Sequence, residues 1–137
     1  MPDREAKRVL TPAIRFDNRL PPGDFSGMIK PPRFGARLTP AGTDFAIWSG
    51  AAERVWLCLF DATGERETDR IEMAADADGR WSARLSGAGE GARYGFRADG
   101  PFAPDEGLWF DPDKLLVDPY AVEIDRPYRY DARLADP

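Results

Sequence analysis

Histidine is absent from this chain and cysteine occurs once. Without histidine the commonest general base, the ordinary zinc sites and every Ser-His or Cys-His nucleophile are excluded. The single cysteine, Cys58, cannot close an internal disulfide. It lies in the apolar run VWLCLF, where a small buried thiol packs as a hydrophobe. A surplus of positive charge is also missing: 24 acidic residues against 19 basic ones leave a net charge of −5. No stripe of Lys and Arg alternates with aromatics, so neither nucleic acid nor an acidic membrane surface is expected as a partner. Long apolar stretches are lacking too. No segment approaches the roughly 20 residues of a membrane span, and the opening MPDREAKRVL has no apolar signal-peptide core. A reducing cytoplasm is the expected setting, and no cofactor is implied.

What is present is turn chemistry. The chain has 137 residues, 42% of them hydrophobic, punctuated by 13 glycines and 13 prolines that cut helices short. One domain with its own core fits this length. Residues 1–33, with LPPGDFSGMIKPPR at their end, show no sustained period and are expected to form an extended, proline-rich arm. From Phe34 the pattern changes to short runs divided by turn signals, as in an antiparallel β-sandwich. Strands are expected near 34–38, 44–49, 54–61, 70–74, 80–85 and 92–99, six or seven in all.

The alternation within these runs assigns faces. In ARYGFRAD, Ala92, Tyr94, Phe96 and Ala98 share one face and Arg93, Gly95, Arg97 and Asp99 the other, giving a core side and a wet side. Two strands break the rule. Val55, Leu57 and Leu59 oppose Trp56, Cys58 and Phe60, while Phe45 and Ile47 oppose Ala46 and Trp48, so both faces are apolar. A strand with no polar side is normally covered twice, which points to a neighbour outside the sandwich. Beyond the last strand, Asp111 before Pro112 has the form of an N-cap followed by a first-turn proline, so a short helical turn is expected over 112–117.

Few constellations carry chemistry. Paired carboxylates serve glycoside hydrolysis, but here the acids are scattered over turns, and the chain is too short for a (β/α)₈ barrel of about 250 residues. Asp111, Asp113 and Asp118 fail as an EF-hand loop, because Leu116 and Val122 stand where a glycine and a glutamate are required. The glycines of GAGEG precede a strand, not a helix, and do not form a phosphate cradle. The aromatics remain. Trp48, Trp56, Trp81, Trp109, Phe102 and Phe110 offer flat faces for sugar stacking or for packing. Trp81 reads as core; Trp48, Trp56 and Trp109 read as surfaces for a neighbouring domain.

The ordered set TDFAIWS (43–49), AERVWLCLFD (52–61), GRW (79–81), ARYGFRADGPF (92–102) and FDPDKLLVDPYA (110–121) resembles the N-terminal module of bacterial isoamylase-type glycogen debranching enzymes. That module is an immunoglobulin-like sandwich of carbohydrate-binding module family 48 in the α-amylase superfamily. The resemblance covers residues 34–121 and implies an all-β, immunoglobulin-like antiparallel β-sandwich of about seven strands. It further implies a parent enzyme that hydrolyses α-1,6 branches of glycogen or limit dextrin on a downstream catalytic (β/α)₈ domain, with residues 122–137 beginning the linker. No catalytic residue is carried over.

In the related modules of AMP-activated protein kinase β-subunits, sugar is held by a strand lysine and two loop tryptophans. Here the corresponding positions are Gly95, Phe102 and the loop DATGER, which has no aromatic. The candidate α-glucan contacts are therefore Phe102 and Trp109, and the candidate docking residues are Trp48, Trp56, Phe60, Trp109, Phe110 and Tyr120. Two alternatives stay open: an autonomous glycogen- or starch-binding module, and an immunoglobulin-like interaction domain unrelated to sugars.

Overall fold

In a computed structural model, residues 34–127 and 129–134 are described; the expected arm at 1–33 lies outside them. The order of elements is β1 (Gly35–Thr39), β2 (Gly42–Trp48), β3 (Arg54–Phe60), β4 (Glu67–Glu72), β5 (Ala74–Ala75), β6 (Arg80–Leu85), β7 (Arg93–Asp99), β8 (Phe102–Ala103) and β9 (Leu108–Trp109). They form an all-β antiparallel sandwich, with one sheet ordered β1-β2-β6-β5, a second ordered β4-β3-β7, and a small ribbon of β8 and β9.

The turns follow from local chemistry. Pro40 and Ala41 join β1 to β2, and Gly42 closes the hairpin at φ 132°; a Cβ there would lie 2.2 Å from the Leu85 carbonyl oxygen, so only glycine fits. Asp76 organises the turn into β6, its carboxylate accepting from the backbone N–H of Asp78 (2.9 Å) and Arg80 (3.0 Å). Asp61 does the same between β3 and β4, accepting from the Thr63 hydroxyl at 2.8 Å and the Glu65 N–H at 3.1 Å.

The expected strand at 70–74 starts earlier and divides. Glu67–Glu72 pairs with β3, Met73 donates its N–H to the Val55 oxygen at 2.9 Å, and Ala74–Ala75 crosses to pair with β6. The switch lets one run edge both sheets, and its pivot, Met73, is buried between them.

Phe45, Val55, Leu57, Trp81, Tyr94 and Phe96 build the core. Their alternation along the strands sends them inward as the period-two reading requires. Tyr94 meets Phe45 edge-on at 4.9 Å and Phe96 at 5.6 Å between ring centroids, an arrangement favoured by ring quadrupoles. Each fully enclosed Leu or Phe side chain contributes about 2 to 3 kcal/mol of burial.

The segment after the ribbon departs from expectation. No helix forms over 112–117. Asp111 accepts the Asp113 N–H at 2.9 Å and its carbonyl accepts the Lys114 N–H at 3.1 Å, making a single turn. The chain then straightens, and Leu116 exchanges two backbone bonds with Phe96 on the free edge of β7, at 2.9 and 2.7 Å. Pairing with the strand edge satisfies these backbone groups without the cost of nucleating a short helix, and the extended path wins.

Candidate functional site

The outer face of β7 is not the wet face that its alternation suggests. Gly95 and Arg97 are both buried beneath the segment 111–118, which lies across them as a strap. A Cβ on Gly95 would stand 2.8 Å from Leu115 Cδ1 and 3.1 Å from the Leu116 oxygen, so the missing side chain is the notch that receives Leu115. Arg97 donates to the carbonyls of Pro112 (3.2 Å) and Asp113 (2.6 Å) and pairs with Glu67 at 3.0 Å. Glu67 also holds Arg70. Burial pushes the Glu67 carboxyl up, but its bonds to Arg70 and the charge of Arg97 outweigh that and leave it below its ordinary value.

Two further groups are locked by the same cover. Cys58, opposite Gly95 in the register, is fully enclosed, and burial pushes its thiol up to about 11, with Glu67 adding to the shift. It is a packed, unreactive thiol. On the core side, the Tyr94 hydroxyl donates a short hydrogen bond to buried Asp118, whose other oxygen accepts the Tyr120 N–H at 2.8 Å. Burial raises the Asp118 carboxyl; the bonds from Tyr94 and Tyr120 oppose the shift without cancelling it. The Tyr94 phenol is raised as well, by burial and then by the Asp118 carboxylate.

The strap therefore leaves no open notch over Gly95 on that face of β7. It also supplies, from within the chain, part of the second cover demanded by the two-sided β3. Trp56 and Phe60, on the same outer face as Cys58, stay half-buried, Trp56 beneath the Arg54 guanidinium at 4.8 Å. Arg54 is in turn paired with Glu72 at 2.7 Å.

Three of the exposed aromatics gather at one end; Tyr120 and Tyr130, beyond the strap, are exposed as well. Strands β2 and β7 end, and β3 and β6 begin, at one end of the sandwich, and the β8–β9 ribbon leaves from it. The loop 49–53 ties this end together: Ser49 N–H donates to Gly79 O at 2.9 Å, Glu53 N–H to Asp99 O at 2.9 Å, and the Trp81 indole N–H to Ser49 O at 3.1 Å. Gly100 admits the Phe110 ring; a Cβ would meet it at 2.9 Å. Phe102 and Trp109 face each other across the ribbon, T-shaped at 5.9 Å, and are 48% and 59% exposed. Trp48, at the end of β2, is 59% exposed with its indole N–H donated to Asp78 O at 2.9 Å.

Of the residues singled out from sequence, Phe102, Trp109, Phe110 and Trp48 are thus brought to one end. Trp56 and Phe60 occupy a sheet face. Tyr120 is placed by β1, seated on Gly35 and stacked with Phe34 at 5.3 Å, with half its surface open. Trp81 is buried in the core. Sequence reasoning missed Leu115, Arg97 and Asp118 as a unit. The available signal was a glycine set between two core aromatics, which marks a close approach of another segment.

Residues 33–121 match the model of carbohydrate-binding module 48, described as the isoamylase N-terminal domain. The chain belongs to this family. A glycogen debranching enzyme of Pectobacterium carotovorum subsp. carotovorum (strain PC1) is 46% identical over 96 residues, 70% of this chain and 14% of that protein. One from Klebsiella pneumoniae (strain 342) is 41% identical over 105 residues, 77% of this chain and 16% of that protein. Among solved structures, ligand-free PulA from Klebsiella pneumoniae superposes with a TM-score of 0.56 at 27% identity, covering 65% of this chain and 8% of that one. A pullulanase complexed with maltotriose from Anoxybacillus sp. LM18-11 gives 0.52 at 28% identity, over 65% and 11% of the two chains. The chain thus spans about one-seventh of the length of the curated relatives it matches. Among its described residues, no group of three His, Cys, Asp or Glu is placed to hold a metal, and no helix is long and apolar enough to cross a membrane.

Proposed function

We propose that this module is the accessory N-terminal part of a glycogen debranching hydrolase. Its role is to dock on the catalytic (β/α)₈ domain and to help recognise α-glucan while that domain cleaves α-1,6 branches. One observation carries the reading: relatives named glycogen debranching enzyme match most of this chain but only 14% of their own length, so the family module accompanies a much larger remainder. On this reading residues 1–33 are an arm, 34–121 the sandwich, and 122–137 the start of the linker. Trp56, Phe60 and Tyr120 meet the catalytic domain, Phe102 with Trp109 touches glucan, and the remaining docking candidates, Trp48 and Phe110, stand at the same end as that pair. The setting is cytoplasmic, in keeping with a lone free thiol.

The test separates the two roles. In native gels containing glycogen, the 137-residue chain is expected to migrate more slowly, and Phe102→Ala to restore free migration. Unchanged migration of the unaltered chain at high glycogen overturns the glucan role. For docking, this module replaces its counterpart in the Pectobacterium relative; the chimera is expected to debranch limit dextrin and to lose stability with Trp56→Asp. An autonomous glucan-binding module is the second reading, favoured by the open Phe102–Trp109 pair, and a chimera inactive despite folding would support it.

A further inference from the structure

The strand site is closed by Leu115, yet the end of the sandwich is not closed. Three exposed aromatics, Trp48, Phe102 and Trp109, stand on it, joined through loop 49–53. Trp48 is fixed there. Its N–H is held by Asp78, and Cβ atoms on Gly50 and Gly79 would lie 3.1 and 3.2 Å from the indole, so bare backbone packs against the ring. A side chain held so firmly and left more than half open is preorganised to receive something.

The surroundings select the kind of ligand. Directly across the ladder from Trp48 is Arg80, on the same face, with an enclosed Nε–H that has no acceptor among the described residues. Asp78, whose carbonyl accepts the Trp48 N–H, and Asp105 and Glu106, in the turn between β8 and β9, are exposed. A protein interface over this end would have to strip water from those carboxylates and match each with an opposite charge. A polyanion would be repelled. A neutral, hydroxyl-rich chain suits both features, because its rings stack on indoles while its hydroxyls donate to carboxylates.

We propose that Trp48 is a second α-glucan contact, on the same end as Phe102 and Trp109, so that one maltodextrin engages both. The inference rests on the glucan role proposed above and extends it. Trp48 belongs to one sheet and the ribbon leaves the other, and packed sheets lie about 10 Å apart, so a chain that reaches both must be longer than one sugar ring. A long oligosaccharide gains from both, and a short one from either alone.

Calorimetric titration of the 137-residue chain with maltoheptaose is the test. Trp48→Leu is expected to weaken binding about tenfold, comparable to losing one good contact, and Trp48→Phe to retain most of it. In the unaltered chain, the Trp48 and Trp109 indole N–H resonances are expected to move on titration while that of Trp81 stays; this readout needs no variant to fold. If Phe102→Ala weakens maltoheptaose binding but Trp48→Leu does not, and the Trp48 resonance is static, the inference is wrong and the ribbon contact stands. If the unaltered chain neither binds maltoheptaose nor is retarded by glycogen, the glucan role itself fails, and this extension with it.

Discussion

Replacing Gly95 by alanine puts a methyl group where Leu115 now sits. The added carbon would lie 2.8 Å from Leu115 Cδ1, 3.0 Å from its Cγ and 3.1 Å from the Leu116 oxygen. The leucine can swing away, but the carbonyl belongs to the bridge that holds the strap on β7, so relief requires the strap to lift. Overpacking of this kind costs about 1 to 3 kcal/mol, against roughly 0.5 to 1 kcal/mol that alanine contributes over glycine within a strand. The net expectation is a loss of about 0 to 2.5 kcal/mol, centred near 1 kcal/mol, which is a fall in melting temperature of roughly 4 to 8 °C for a domain of this size. Leu115→Ala alone should cost about 2 to 4 kcal/mol, since the side chain is buried. Together the two changes should cost less than their sum by about 1 kcal/mol, because the truncated strap no longer meets the new methyl. Thermal unfolding of the four proteins of this cycle, followed by tryptophan fluorescence, measures the coupling. Gly95→Ala at or above the parent's stability, or strict additivity with Leu115→Ala, would show that the notch is not what seats the strap.

The same cover predicts the behaviour of Cys58. With its thiol pushed up to about 11, very little of it is thiolate at pH 8, so reaction with a disulfide reagent should be slow until denaturant is added, and faster in Gly95→Ala. Fast native labelling would contradict the burial of that face. Stability should depend on pH in two opposed ways. Asp118 has a raised carboxyl in the fold, so its buried charge is a penalty at neutral pH that is relieved as pH falls through its folded value; Asp118→Asn should flatten that rise in a denaturation series from pH 7 towards 4. Glu67 is lowered, so its contribution is present above its ordinary value of 4.5 and is lost as pH falls through the folded one; Glu67→Gln should remove that loss from the acid limb. Asp118→Ala, which leaves the buried Tyr94 hydroxyl without its acceptor, should cost about 1 to 3 kcal/mol, and retention of full stability would deny the tie between strap and core.

Much of the sandwich was legible because its strands obey a simple period. Phe45, Leu57, Trp81, Tyr94 and Phe96 point inward as alternation requires, and the turns at Asp76 and Gly42 stand where aspartate and glycine announce them, whereas Asp61, expected to end a strand, organises the turn after β3. The strap was not legible for a physical reason. A proline after an aspartate is equally suited to a helix N-terminus and to an Asx turn, and only the presence of an unpaired β7 edge decides between them. Arg97 was misplaced by the same blindness: period two assigns an arginine to water, but the register puts it beside Glu67 and under two carbonyls. The candidate site divides likewise. The aromatic types were visible, but that Trp48 shares an end with Phe102 and Trp109, while Tyr120 is seated on β1, depends on strand order and register.

That division changes what the two-sided strands imply. Read from sequence, an apolar Trp56-Cys58-Phe60 face asks for a partner. Folded, the middle of that face is filled by Leu115 over Gly95 and by the Glu67, Arg70 and Arg97 cluster, which leaves only its half-buried flanks, Trp56 and Phe60. Of the large apolar side chains left exposed among the described residues, Trp48, Phe102 and Trp109 stand together at the end of the sandwich, while Leu116, Tyr120, Val122, Ile124 and Tyr130 lie on the strap and beyond it. A catalytic domain seated on the sheet face and a glucan laid over the end would occupy different surfaces. The two roles proposed for this module therefore do not compete, and a substitution at Trp56 should disturb the chimera's stability without touching maltoheptaose binding, whereas one at Trp48 should do the reverse.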